Sequence, residues 1–128
     1  MGAFAKEEHQ LLVQLGLGQR IPGAFACGAR GGSCPTVTST SPTNNQVIAE
    51  AVEASVHDYQ EGMRVCFDAD KTWMGIAAPK RGEIARRIGD ALGAQLHHLG
   101  RLVSVDMRKI LPEGIGEGHE IIDMCDVC

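Results

Sequence analysis

The chain has 128 residues, enough for one domain that buries roughly two-thirds of its unfolded surface. Its hydrophobic fraction of 44% and charged fraction of 22% argue against a wholly disordered chain. Twelve basic and sixteen acidic residues give a net charge of −4, which argues against a nucleic-acid-binding module and a polybasic membrane-binding surface. We therefore expect a soluble, mildly acidic domain of mixed class, with no nucleic-acid and no membrane partner.

The start of the chain, MGAFAKEEHQLL, does not match a secretory signal, because it lacks a basic segment followed by a long apolar stretch. No window approaches the ~18 consecutive apolar residues of a membrane span. We therefore expect a cytoplasmic protein whose cysteines are reduced thiols. There are five of them: Cys27, Cys34, Cys66, Cys125 and Cys128.

Residues 1–54 are predicted to form an extended, turn-rich segment with a short leading helix over residues 4–15. Gly16 ends this helix in the prediction, because glycine is favoured just after a helix C-terminus. One face of the helix is approximated by four apolar residues: Phe4, Leu11, Leu12 and Leu15.

Residues 16–42 are rich in glycine and proline, and only one run within them is typical of a strand, the sequence TVTST at 36–40. The sequence TNN that follows favours a turn. A second extended run, QVIAEAV, covers residues 46–52. We therefore predict a strand, a turn and a second strand over residues 36–52.

Residues 55–128 are predicted to be helical. Ser55 is the expected N-cap of the first helix, with Asp58 in the N3 position of a capping box. The helix is predicted to end near Gly75 and Pro79. Its amphipathic stripe recurs at spacings of three and four residues and comprises Val56, Tyr59, Met63, Cys66, Asp70 and Trp73.

Pro79 suits the first turn of a second helix. Three glycines weaken this helix by up to ~1 kcal/mol each relative to alanine, so we predict a break between residues 97 and 100. Pro112 is predicted to start a last helical segment. The apolar face of the second helix comprises Ile84, Ile88, Leu92, Leu96, Leu99, Val103 and Met107.

Cys125 and Cys128 have the C-x-x-C spacing of a redox pair or of half a zinc site. A zinc site needs a second pair, and neither the other cysteines nor the adjacent His97 and His98 stand at a suitable spacing. A thioredoxin-like redox site needs a strand before the motif and a helix after it. We therefore predict no metal and no redox site.

The sequence Gly114-Ile-Gly116-Glu-Gly118 is partly similar to a dinucleotide-binding fingerprint. Its third glycine comes one residue early and no strand precedes it, so we interpret it as a loose helix start. No set of serine, histidine and an acidic residue is spaced for nucleophilic catalysis. No pair of cysteine and histidine is suitably spaced either. We interpret the acidic run without lysine or arginine as a solvated face: Glu113, Glu117, Glu120, Asp123 and Asp126.

Longer sequence words resemble the N-terminal region of aldehyde dehydrogenases, most closely the antiquitin branch, the seventh family, in its plant form. The resemblance covers about Phe4 to Asp126. It implies an α+β, mostly helical fold, with a short β unit and then three to four helices, truncated before the main cofactor-binding sheet. The words are LGLGQRIPGAF, SPTNNQVIAEAVEASVHDYQEGM, KTWMGIAAPKRGEIARRIGDAL, HLGRLVSVDMRKILPEGIGE and EIIDMCD.

In this family a cysteine nucleophile, a glutamate base and NAD oxidise an aldehyde to the acid. Those groups lie beyond the matched region, so the resemblance assigns no catalytic and no cofactor-binding residue here, and Cys66 and Cys125 fall at structural positions. It implies a truncated relative that is inactive alone, whose full-length family oxidises a semialdehyde of lysine breakdown or a stress-derived aldehyde.

Two alternatives stay open. The chain could be a helical interaction module that associates with itself or with full-length subunits of a tetramer, or an active enzyme whose remaining residues are missing from this sequence. Arg108 stands where the family has a glycine that allows close packing, and Asp70, Gly93 and Gly118 also depart from the family pattern. We interpret these departures as relaxed constraint or as a remnant coding sequence, and expect an incompletely folded monomer with uncovered helix faces.

Overall fold

A computed structural model describes residues 3–26 and 28–127 of the chain. Cys27 and Cys128, two of the five cysteines expected to be reduced thiols, lie outside the described residues. The side chain of Phe4 also lies outside them. The architecture is α+β and mostly helical, which confirms the predicted fold class. None of the described helices combines the length and apolar character that a bilayer span requires. The elements are α1 (Ala3–Gln14), β1 (Arg20–Pro22), β2 (Ala24–Ala26), β3 (Ala29–Gly31), β4 (Thr36–Thr40), β5 (Val47–Val52), α2 (Val56–Met74), α3 (Ala78–Ala94), α4 (Leu96–Met107) and α5 (Leu111–Val127).

The predicted strand–turn–strand unit is confirmed: β4 and β5 pair antiparallel, with Thr38 opposite Glu50. The prediction of a single strand within residues 16–42 was wrong, because β1, β2 and β3 also form there. β1 joins the sheet in parallel beside β5, with Arg20 opposite Glu50, and the sheet order is β1-β5-β4. β2 and β3 form a separate antiparallel hairpin. Each of these strands has three residues, too few to show an alternating pattern.

The small core lies where α1 and α4 meet the sheet. Leu12, Ile48 and Ala49 are buried together, and residues from α4, from β1 and from the α1–β1 connection pack around them. Two serines tie the β4 end of the sheet to α4. Ser41 is buried and donates its hydroxyl to the Val105 carbonyl at 3.3 Å, and the Ser39 hydroxyl donates to Asp106 Oδ1 at 2.7 Å. The residues around the core are Leu17, Ile21, Leu102 and Val105.

The capping box predicted at the start of α2 is confirmed. The Ser55 hydroxyl accepts from the Asp58 backbone N–H at 3.1 Å, and the Asp58 carboxylate accepts from the Ser55 N–H at 2.8 Å. Gly75 ends the helix, where its N–H bonds to the carbonyls of the last turn. The main contact of α2 is with β2, and none of its residues is buried.

The predicted helix break between residues 97 and 100 was wrong. The break lies at Gln95, which joins α3 to α4, and α4 continues without interruption through Gly100. The glycine expected to interrupt the helix instead makes a tertiary contact: Gly100 is buried where α4 packs on α5. Pro79 does lie in the first turn of α3, as predicted, and Pro112 lies in the first turn of α5.

Arg108 is in the left-handed region, with φ 56° and ψ 32°, directly after α4. A residue with a Cβ atom incurs a steric penalty in this conformation, whereas glycine does not. The resemblance gives a glycine at this position, and glycine would adopt this backbone turn without strain. After this turn, α5 runs back along α4 and α3: Gly114 faces Gly100, and Cys125 faces Gly89.

Candidate docking surface

Two of the three glycines of the dinucleotide-like motif, Gly114 and Gly118, are packing residues inside α5. A Cβ atom at Gly114 would lie 2.7 Å from Ser104 Oγ and would collide with the Gly100 carbonyl oxygen. A Cβ atom at Gly118 would collide with the end of the Leu96 side chain. A phosphate cradle needs a strand followed by a free helix N-terminus, and these glycines instead lie within a helix that follows another helix. The motif does not fit a dinucleotide.

Among the described residues, the other sequence motifs bring no reactive groups together. The imidazole rings of His97 and His98 are perpendicular, with centroids 6.3 Å apart, and His98 Nδ1 is buried without a hydrogen-bond partner. Cys125 packs against Gly89 of α3, while Cys66 is exposed on α2. Within residues 3–26 and 28–127, no three histidine, cysteine or acidic side chains converge on a point where they could hold a metal ion.

An apolar groove of about 480 Å³ lies between α4 and α5. Gly114 and Gly118 line its α5 side. Its exposed side chains include Met107, Ile121 and Met124. The apolar lining comprises Leu92, Leu99, Leu102, Val103, Met107, Ile121 and Met124. We call this surface the α4–α5 groove.

Acidic side chains dominate the charge of the α4–α5 groove. Lys109 is ion-paired with Glu117, and this hydrogen bond is the main cause that raises the pKa of Lys109, with smaller contributions from the charges of Glu113 and Glu120. Glu117, Glu120 and Lys109 all line the groove. Three carboxylates around one ammonium leave this end of the groove negative.

A second concavity, of about 560 Å³, lies beside the first along α3. It shares Leu92 and Leu99 with the α4–α5 groove, so the two form one continuous apolar surface. Ile84 and Ile88, which belong to the predicted apolar face, are exposed in this concavity. Arg87 lines this surface, and its guanidinium is paired with Glu83 at 3.2 Å.

The outer face of α3 is a charge network. Glu83 accepts from Arg86 at 2.9 Å, and these hydrogen bonds, followed by those from Arg87, lower the pKa of Glu83 to about 2. Arg86 also donates to Asp90 at 2.6 Å. The hydrogen bonds that Arg86 donates to Glu83 are the main cause that raises the pKa of Arg86. These pairs are exposed, so the network keeps this face solvated and leaves the Ile84 side for packing.

The apolar side chains of α2 are also uncovered. Tyr59 is 65% and Val56 74% exposed, and Phe67 and Met74, which lie outside the predicted stripe, are exposed as well. Asp70 is exposed to solvent, so the carboxylate within the stripe needs no buried partner. Together with the α4–α5 groove and the concavity along α3, this stripe leaves many large apolar side chains exposed around a small core.

One polar cluster anchors α2 to the loop before β4. The Ser33 hydroxyl donates to Asp58 Oδ2 at 2.7 Å, and the Ser55 hydroxyl donates to the same oxygen at 2.9 Å. These bonds stabilise the ionised carboxylate, and with the Ser33 bond as the largest cause they lower the pKa of Asp58 to about 2. The sequence identified the Ser55 half of this cluster, but Ser33 is too distant along the chain to be predicted.

A family model described as the aldehyde dehydrogenase family matches residues 30–128. The chain is 54% identical over 123 residues to aldehyde dehydrogenase family 7 member A1 of Malus domestica, covering 96% of this chain and 24% of the relative. It is 46% identical over 119 residues to alpha-aminoadipic semialdehyde dehydrogenase of Rattus norvegicus, covering 93% of this chain and 22% of the relative. The chain thus spans about a quarter of the length of the curated relatives it matches.

Among solved structures, the fold is similar to that of betaine aldehyde dehydrogenase from Staphylococcus aureus, crystallised with NAD+. The TM-score is 0.81 at 24% sequence identity, and the match covers 96% of this chain and 24% of the other. At this level of identity the match establishes the fold.

Proposed function

Because the chain belongs to the aldehyde dehydrogenase family, in its seventh branch, we propose that it acts as the N-terminal part of an NAD-dependent aldehyde dehydrogenase and has no such activity alone. In the whole enzyme the reaction would oxidise an aldehyde or semialdehyde to the acid. The rat relative carries a semialdehyde in its name, which supports that substrate class. The cytoplasm is the proposed compartment, since the described thiols Cys34, Cys66 and Cys125 are unpaired.

The observation that carries this proposal is the mismatch between the small core and the large uncovered apolar surface. Only four hydrophobic residues of the described side chains are buried: Leu11, Leu12, Ile48 and Ala49. Helices with one apolar stripe reach their stable form by burying it against another layer. In the proposal, the remaining three-quarters of the enzyme supply that layer, and this chain supplies helical cover.

The side chains also support the absence of activity in the isolated chain. Cys34, Cys66 and Cys125 are free thiols, and none of them makes a side-chain hydrogen bond to a histidine or carboxylate that could activate it. NAD is proposed only for the whole enzyme. Its chemistry there would be acceptance of the hydride, and the residues described in this chain do not form a site for it.

The experiment measures NADH formation by the purified chain with a panel of semialdehydes, alone and mixed with a separately produced polypeptide that contains the remaining residues of the Malus domestica relative. We expect no NADH above the buffer rate from either part and measurable NADH from the mixture. The intact relative is the positive control. NADH formation by the chain alone would contradict the proposal, and so would an inactive mixture in which the two parts bind each other.

The same uncovered surface favours a second candidate function. In this alternative the chain is an interaction module that associates with full-length aldehyde dehydrogenase subunits or with itself. Co-expression with an affinity-tagged full-length relative, followed by native mass spectrometry, distinguishes the two. Mixed oligomers with reduced specific activity would favour the interaction module, whereas homo-oligomers of the relative and a separate chain would exclude it.

A further inference from the structure

We propose that the α4–α5 groove binds an amphipathic helix that carries lysine or arginine beside its apolar face. The proposal concerns this surface only and does not depend on the enzymatic activity proposed above. Three features of the groove support it: its shape between two helices, its exposed apolar lining, and its negative end.

The shape of the groove fits a helix. α4 and α5 pack antiparallel, with Gly100 facing Gly114 and Leu96 facing Gly118, and a third helix can lie in the furrow between two such helices. α4 has 12 residues and is therefore about 18 Å long, which accommodates roughly three turns of a partner. Gly114 and Gly118 line the α5 side of the groove, where they pack directly against α4.

The lining is apolar and adaptable. Met124 is 69%, Met107 61% and Ile121 53% exposed, so these side chains lack cover in this chain. Methionine is flexible and polarisable, and it is common on surfaces that bind helices of varied sequence. An apolar helix face inserted here would remove these side chains from water, which contributes ~25 cal/mol per Å² of buried apolar area.

The charge of the groove selects a basic partner. Lys109 is the cation at this end, and Glu117 already pairs with it. Glu120, which lines the groove, has no ion-pair partner among the described side chains. A lysine or arginine on the edge of the docked helix can pair with Glu120. A second copy of this chain would instead place α5 against α5, and this helix contains five acidic residues and no lysine or arginine, so the two copies would repel each other.

The experiment uses the whole chain and two synthetic helical peptides of about 18 residues. A designed peptide of this length can remain helical in water. The peptides share one leucine face, and the other face carries lysine in one peptide and glutamate in its twin. Isothermal titration calorimetry measures the two affinities. We expect saturable binding of the lysine peptide that weakens as salt rises, and at least tenfold weaker binding of the glutamate peptide.

Two pairs of variants locate the binding site. Ile121→Glu places a carboxylate in the groove and should reduce affinity for the lysine peptide at least tenfold, whereas Val127→Glu, on the same helix and 86% exposed, should leave it unchanged. Glu120→Gln should weaken the lysine peptide about two- to fivefold, and Asp126→Asn should weaken it less. Circular dichroism of each variant checks that the fold is kept.

Several outcomes would overturn the proposal. Equal affinity for the two peptides would remove the charge argument, and an Ile121→Glu variant that binds as well as the parent would place the site elsewhere. If the chain dimerises and Ile121→Glu abolishes dimerisation without any peptide binding, the occupant is a second copy. None of these readouts involves NADH, so a failure here is distinct from a failure of the proposed enzymatic role.

Discussion

Gly100 of α4 and Gly114 of α5 face each other at a helix crossing where neither residue has room for a side chain. A Cβ atom at Gly100 would lie 2.6 Å from Ile115 Cγ1 and 2.9 Å from its Cα. The backbones therefore approach as closely as helices can, and the Ser104 hydroxyl donates to the Gly100 carbonyl at 2.9 Å beside the contact. This crossing fixes the antiparallel register of α4 and α5, and with it the α4–α5 groove.

Gly114→Ala should destabilise the chain by about 1–3 kcal/mol, because the added methyl group forces the two helices apart. The matched control is Gly116→Ala in the same helix, where a Cβ atom would have no neighbour within 4 Å. That variant should be stabilised by up to about 1 kcal/mol through helix propensity. Urea unfolding followed by circular dichroism measures both. Equal stability of the two variants would show that the crossing is not tightly packed.

Arg108→Gly should stabilise the chain by about 1 kcal/mol, because residue 108 has a φ of 56° and only glycine adopts this region without a steric penalty. Arg108→Ala separates the backbone effect from loss of the guanidinium, since alanine retains the strain. Thermal unfolding of the three proteins is the measurement. A gain shared by the alanine variant would assign the effect to the side chain instead.

The stability of α2 should depend on pH through Asp58. Its pKa in the folded chain is about 2, below the ordinary value of 3.8, so the folded state favours the ionised carboxylate. The resulting stabilisation is complete above pH 3.8 and is lost as the pH falls towards 2. Asp58→Asn should lack this component. We expect the stability difference between parent and variant to shrink over this range, measured by urea unfolding at each pH; a constant difference would contradict the assignment.

Ser33→Ala should raise the pKa of Asp58 towards 3.8, because the Ser33 hydroxyl is the largest cause of its lowering. The control is Ser39→Ala, which removes an equivalent hydroxyl bonded to a different carboxylate, Asp106. Nuclear magnetic resonance titration of the Asp58 carboxyl carbon measures the shift in both variants. An unchanged pKa in Ser33→Ala would mean that the loop before β4 is not held to α2 in solution.

Among the described helices, α2 should be less protected from hydrogen exchange than α4 and α5. Its N-terminus is well capped, but none of its residues is buried, and helices in proteins owe most of their stability to packing. Hydrogen exchange followed by mass spectrometry compares peptides from the three helices. Protection of α2 equal to that of α4 would contradict this, and would also argue against the incomplete folding that we expect of the monomer.

Local determinants explain which elements the sequence predicted. The capping box of Ser55 and Asp58 and the turn between β4 and β5 depend on neighbours a few residues apart, so they could be read from the chain. The sequence does not predict β1, because its three residues form a strand only through their pairing with residues 50–52 of β5.

The groove itself could not be predicted from periodicity. The periodicity predicts the apolar stripe from Ile84 to Met107, but as one face of one helix with a break between residues 97 and 100. The contact with Ile115 that keeps Gly100 helical belongs to a different helix. The acidic run of α5 was interpreted as a solvated face, and only the position of Lys109 and the apolar lining show that part of this run borders a groove.

The position of Leu12 has a consequence for synthesis on the ribosome. Its neighbours in the core include Ile48 of the sheet and, from the far end of the chain, Leu102 and Val105 of α4. At translation rates of about 5–20 residues per second, roughly 5 to 20 seconds separate the synthesis of Leu12 from that of Val105. During that interval Leu12 cannot make its contacts with α4, so this part of the core closes only after α4 has been synthesised.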